Sequence, residues 1–242
     1  MTTGLLILLL SFCASFVQRT IGFGFGIFVM TMLPLLMPSF GEATTLSGLL
    51  AMLTSTAVTL RMYRYITWKR LLPLLAVFLV ISTGAIFLLP GIQDRIIKVI
   101  LGIVLILTCL YFMLLSSRIH MRPTLGAQIA AGTVSGLMGG FFAMQGPPAV
   151  LYLLSSEPDK EHYLAMISAF LLLGNIGMTV MRAVNGLVSP AVGTGFLWGM
   201  FGVAGGATLG AWAFARIPRE KFKYFVYGYI GLSGLVILIN AL

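Results

Sequence analysis

The sequence predicts an all-α polytopic membrane protein made of two related halves, and three observations carry that prediction. Of 242 residues, 59% are apolar and only 9% are charged, where a soluble domain carries about a quarter charged residues. Apolar runs of bilayer-crossing length recur along the whole chain. Two of these runs are too long for one simple helix, and each holds a glycine-rich interruption at a corresponding place in its half. With so few charges the chain cannot cover itself with hydrated surface, so it must present apolar surface to lipid.

In chain order the runs fall at 4–38, 43–61, 71–90, 96–116, 126–155, 163–183, 191–215 and 222–241. Six are near 20 residues, enough to cross a hydrocarbon core of about 30 Å at about 1.5 Å per residue. The first contains Gly22-Phe23-Gly24-Phe25-Gly26, and the fifth is interrupted from Gly136 through Pro148. On either side of each interruption about 12–17 apolar residues remain, a length that suggests half-helices or a re-entrant, hairpin-like segment. The N-terminus has neither a positive leader region nor a small-residue cleavage site, so the first run is expected to stay in the protein.

The formal charge is +9, from 15 Lys/Arg against 6 Asp/Glu. These basic residues lie in short loops between apolar runs, which is the cytoplasmic bias of membrane proteins. No basic stripe with interleaved aromatics occurs, so nucleic acid is not an expected partner. If each broken run crosses once, seven loop Lys/Arg fall on each side. If each turns back, eleven fall on one side and three (Arg95, Lys98, Arg182) on the other, with Arg19 at the tip of the first hairpin. The second arrangement fits the bias better.

The chain also repeats itself weakly. Gly84 and Gly102 align with Gly210 and Gly228, Asp94-Arg95 with Glu220-Lys221, Arg61 with Arg182, Thr54 with Asn175, and Gly22 with Gly139. The first repeat is expected over 1–122 and the second over 123–242, each a broken segment followed by three spans. Three spans after a hairpin reverse the second copy, and inverted repeats with interrupted helices point to a transport site at the midplane.

The interruptions are the strongest candidates for chemistry. Glycine lets the chain unwind and expose amides at close range, and such backbone survives at membrane depth only where protein buries it or water lines it. Exposed amides and half-helix N-termini attract anions. Gly22, Gly24 and Gly26 in the first break, and Gly139, Gly140, Gln145 and Gly146 in the second, are therefore candidate anion-binding residues. Gln18, Arg19 and Thr20 stand directly before the first break. Arg19 is the one cation that reads as clear of a span end, and its guanidinium can pair with an oxyanion. Thr54 and Ser55, with Asn175 in the matching span, can donate hydrogen bonds; helix-to-helix polar contact is the competing role.

No His/Cys/carboxylate cluster has metal-ligand spacing, so neither metal nor cofactor is expected. His120 and His162 fall in loops, no histidine lies within a span, and Ser135 therefore has no base; catalysis is not expected. All six acids fall in loops or at span ends, which disfavours cation transport. Cys13 and Cys109 sit in apolar runs and read as buried, structural thiols.

Taken together, Gln18 through Gly26, Gly136 through Phe141 with Gly146-Pro147-Pro148, and the Arg219-Glu220-Lys221-Phe222 loop resemble the TauE/SafE sulfite exporter family over essentially the whole chain. The resemblance implies a multi-pass permease of the bacterial inner membrane, conventionally counted as eight spans. It implies an exporter of small sulfur-containing anions such as sulfite, sulfoacetate or other organosulfonates. Phe141-Phe142-Ala143-Met144-Gln145 stands where that family's pattern has further glycines. The expected partners are the anion and the lipid bilayer, and a homo-oligomer is compatible with both. A passive anion channel, or a membrane scaffold for another enzyme, are the alternatives; loops of a dozen residues or fewer count against a scaffold.

Overall fold

A computed structural model describes residues 2–21, 23–115, 123–157, 159–213 and 219–241, and every regular element in them is helical. The elements are α1 (Thr2–Ile21), α2 (Phe25–Val29), α3 (Leu33–Leu36), α4 (Phe40–Met62), α5 (Trp68–Leu88), α6 (Asp94–Leu110), α7 (Leu125–Phe142), α8 (Gly146–Ser156), α9 (Lys160–Val184), α10 (Pro190–Ala213) and α11 (Arg219–Ala241). Seven of these helices are long and apolar enough to cross a membrane, and Tyr227–Ala241 adds a shorter apolar stretch.

Local chemistry sets where several helices begin. Ser39, Thr124, Asp159 and Ser189 each accept a backbone N–H from three residues on, Glu42, Ala127, His162 and Val192 respectively. Such side-chain caps satisfy donors that have no partner inside the helix. Outward-facing residues such as Leu6, Val80, Phe87, Ile103 and Phe201 are apolar and exposed, as a lipid-facing surface requires.

Two expectations about the broken runs need correction. α1 has 20 residues and α7 has 18, so the arms before the breaks are full-length helices of about 30 and 27 Å rather than half-helices. Only the returning arms are short: α2 and α3 with 5 and 4 residues, and α8 with 11. The second interruption is also narrower than Gly136 through Pro148. Gly136, Gly139 and Gly140 are helical, and the chain leaves the helix at Ala143. These glycines act as close-packing residues: a Cβ on Gly136 would lie 2.8 Å from the Cβ of Ile81, and one on Gly140 2.7 Å from the Ser82 carbonyl oxygen.

Four helix pairs build the molecule. Gly132 faces Leu74 and Val77, while Gly140 faces Ser82 and Ala85, so α7 and α5 run parallel. Gly202 faces Leu8 and Gly210 faces Phe16 and Arg19, so α10 and α1 also run parallel. In contrast, α4 opposes α9. Gly41 near the start of α4 meets Leu187 just beyond α9, and Tyr65 just beyond α4 meets the His162 ring, 5.4 Å between centroids. Likewise α6 opposes α11, with Arg95 Nε donating to the Ala241 carbonyl at 2.8 Å. At their crossing, a Cβ on Gly102 or on Gly234 would lie 2.9 Å from the other's carbonyl oxygen.

The α7–α8 segment returns to the level from which it starts. Gln128 on α7 donates to the Arg70 carbonyl at 2.8 Å, and Arg70 Nη1 donates to the Ser156 carbonyl at 3.0 Å. Glu157 completes this junction with an ion pair to Arg70 at 3.7 Å. Of the two cysteines, Cys109 is buried as expected, but Cys13 is exposed. Its apolar neighbours mark a lipid-facing helix side, which hydropathy alone cannot tell from a protein core.

Candidate functional site

The two breaks meet in the middle of the fold. Gly24 has φ 102°, a left-handed conformation that glycine adopts without steric cost. Two residues on, a Cβ on Gly26 would overlap the carbonyl oxygen of Ala143. Ala143, at the end of α7, is itself left-handed at φ 56°, uncommon for a residue with a side chain. That turn is fixed by Ala143 N–H donating to the Gly139 carbonyl at 2.9 Å and Met144 N–H to the Met138 carbonyl at 3.1 Å. So glycine on one side and a strained alanine on the other let two backbone turns touch.

Around this contact lies about 330 Å³ of space, partly enclosed and narrow. Its walls come from both breaks (Gly24 to Ile27, and Ala143 to Gly146), from α1 through Gln18, from α4 through Ala51 and Ser55, and from α9 through Leu171 and Asn175. Seven of the sequence-derived candidates therefore assemble here: Gln18, Gly24, Gly26, Ser55, Gln145, Gly146 and Asn175. Thr54 stands just behind the wall, its hydroxyl donating to Gln18 Oε1 at 3.0 Å.

The remaining candidates lie elsewhere. The Thr20 hydroxyl is used within its own helix, donating to the Val17 and Phe16 carbonyls at 2.9 and 3.0 Å. Gly139 packs against the Phe78 ring and Gly140 against Ala85, both outside the cavity wall. Arg19 is exposed, its stem against Gly210, near the far end of α10. The reason is the unbroken α1, which carries residue 19 almost its full length from Thr2. Gly22 and His120 lie outside the described residues.

Among the described residues, no wall residue is charged. Proline at the start of α8, Pro147 and Pro148, removes two of the backbone donors that a helix N-terminus would otherwise offer. Polar side chains must supply what the amides do not. Asn175 is 1% exposed, and neither its amide nitrogen nor its amide oxygen has a protein partner.

One buried residue escapes the sequence reading, which puts Arg182 at the end of the 163–183 run and counts it with the charges that flank the spans. It is wholly buried, with 0% exposure, two residues before the end of α9. Its Nη2 donates to the carbonyls of Gly139 and Gly140 at 2.9 and 3.3 Å. Those carbonyls belong to the last turn of α7, the negative end of the helix, which attracts positive charge. Nε and Nη1 have no partner. The alignment of Arg182 with Arg61 is the one signal in the sequence that marks it, and Arg61 is exposed.

Apolar helices of membrane-spanning length around a polar, carboxylate-free cavity define a multi-pass membrane transport protein. A sequence model of the TauE/SafE sulfite exporter family matches residues 7–237, and the chain belongs to that family. Neither a curated protein nor a solved structure matches it.

Proposed function

We propose that the protein is a secondary transporter that exports small sulfur-containing anions, such as sulfite, sulfoacetate or other organosulfonates, across a bacterial inner membrane. The anion binds in the cavity where the two breaks meet. The observation that carries this reading is the wall itself: both breaks and the partnerless Asn175 converge on a space with no acid among its described lining residues. Such a wall offers dipoles to an anion and no carboxylate to a cation.

The same reading takes residues 1–122 and 123–242 as inverted repeats, each a hairpin followed by three spans. Exchanging α1 with α7, α4 with α9, α5 with α10 and α6 with α11 turns the α1/α10 pair into α7/α5 and maps α4/α9 and α6/α11 onto themselves, which supports it. The junction at Arg70 supports a second hairpin that leaves on its own side. An alternating-access carrier places its site between two such copies.

The test is sulfite flux into proteoliposomes holding the purified chain. Saturable flux with counterflow is the expected result, and Asn175→Leu should reduce it at unchanged protein folding. Flux that neither saturates nor shows counterflow would replace the carrier by a channel, and no flux of any sulfur oxyanion would overturn the reading.

A further inference from the structure

Resting on that anion-transport reading, we propose that Arg182 holds the oxyanion head of the transported anion, in a cradle made with Asn175 and Thr179 over Gly48. These three side chains lie at i, i+4 and i+7 on α9 and so share one face, toward α4. A Cβ on Gly48 of α4 would sit 3.2 Å from Arg182 Nη1, 3.5 Å from Thr179 Oγ1 and 3.6 Å from Asn175 Oδ1. Because residue 48 is glycine, no side chain of its own stands among the three, and an added methyl would press on Arg182. All three atoms facing it lack a hydrogen-bond partner in the protein.

The chemistry of the cradle selects its occupant. A buried cation without a counter-charge is among the costliest arrangements in a protein, and no ion pair joins Arg182 to a carboxylate among the described residues. The α7 carbonyls satisfy Nη2 alone. A role limited to capping α7 therefore leaves Nε and Nη1 idle, and with them both ends of the Asn175 amide and the Thr179 hydroxyl. One compact oxyanion would engage the set: N–H groups from the guanidinium, O–H from Thr179, and the Asn175 amide after a half-turn that presents Nδ2. The head group common to sulfite and the sulfonates, three oxygens on one sulfur, has that donor demand. Asn175 also lines the cavity between the breaks, so the cradle and the cavity share one side chain.

The test uses the full chain in detergent and in proteoliposomes. Thermal unfolding is followed against sodium sulfite, sodium methanesulfonate and sodium chloride at equal ionic strength, since specific binding stabilises the folded state. Wild type should show saturable stabilisation by sulfite. Stabilisation by methanesulfonate as well assigns the cradle to a head shared with sulfonates, and by sulfite alone assigns it to the free inorganic ion; either supports the proposal. Arg182→Lys and Gly48→Ala should weaken sulfite binding about tenfold or more, the scale of one lost charged hydrogen bond. Gly48→Ala adds only a methyl inside the cradle and improves helix propensity, so it decides the matter even where the arginine variant fails to fold. Wild-type sulfite affinity in Gly48→Ala, or equal stabilisation by chloride, overturns the cradle. Saturable wild-type flux with an unaffected Gly48→Ala removes the cradle and leaves the transport reading standing. Sulfite binding lost in Gly48→Ala, with no flux in wild type, does the reverse.

Discussion

In the α5/α7 pair the glycines lie on the helix that carries a break, whereas in the α1/α10 pair they lie on the partner. Gly132, Gly136 and Gly140 seat α7 on α5, and Gly202, Gly206 and Gly210 seat α10 on α1. Spaced four apart, each trio forms one helix face. The contacts differ in closeness. A Cβ on Gly202 or Gly206 would overlap a backbone carbonyl, of Leu8 or Phe12, while one on Gly140 would lie 2.7 Å from the Ser82 carbonyl oxygen and one on Gly132 3.2 Å from that of Leu74. The deeper the overlap, the further two backbones must separate to admit a methyl. The pairs differ in charge too: the end of α7 is held by the buried Arg182, while Gln18 near the end of α1 is held by a neutral bond from Thr54. One pair is thus the closer at the backbone, and the other ends beside a buried cation.

The largest expected effect tests the first contrast. Gly206→Ala should destabilise the protein by about 3 kcal/mol and Gly132→Ala by about 1 kcal/mol, the two ends of the usual overpacking range, read as loss of thermal stability in detergent. Equal costs would erase the distinction between the pairs. The charge contrast comes next. Arg182→Gln should lower sulfite flux about tenfold or more, whereas Arg61→Gln and Arg19→Ala, on exposed positions, should stay near wild type; a large loss in Arg61→Gln would mean that the halves share the cation function. Third, Thr54→Val should cost about 1 kcal/mol, one partly buried hydrogen bond, again by thermal unfolding.

The smallest effect concerns the cap of α9. The His162 backbone N–H, and then its ring, hold the Asp159 carboxyl below the usual carboxylate range. A depressed folded pKa means that its contribution is full above the unfolded value and is lost as pH falls through the folded one. Asp159→Asn should therefore cost a little stability at neutral pH, and the difference from wild type should vanish as pH falls through the folded value, flattening the acid limb.

Much of this was legible because it is local. Span lengths, the break at Gly24 and the polar residues flanking both breaks follow from run length and glycine spacing, and seven of the candidate residues do meet. What failed depends on distant partners. Arg182 stands two residues from a span end, where a charge reads as facing water; the end of α7, some forty residues earlier in the chain, and Gly48 of α4 close over it. The reverse holds for Arg19, whose neighbours read as membrane interior until the continuous α1 carries it toward an edge. Ala143 has no local mark of a left-handed residue, since its conformation is imposed by the turn closing on Gly139.

The crossed pairing also bears on biosynthesis. The face of α1 that meets Gly202 and Gly206 has no complement until α10 is translated, and α5 waits for α7. A nascent chain stopped at residue 122 thus contains two helices whose packing faces still lack their glycine partners. Neither α1 nor α5 finds its main partner within residues 1–122, and the second set of glycines emerges only in the last quarter of synthesis.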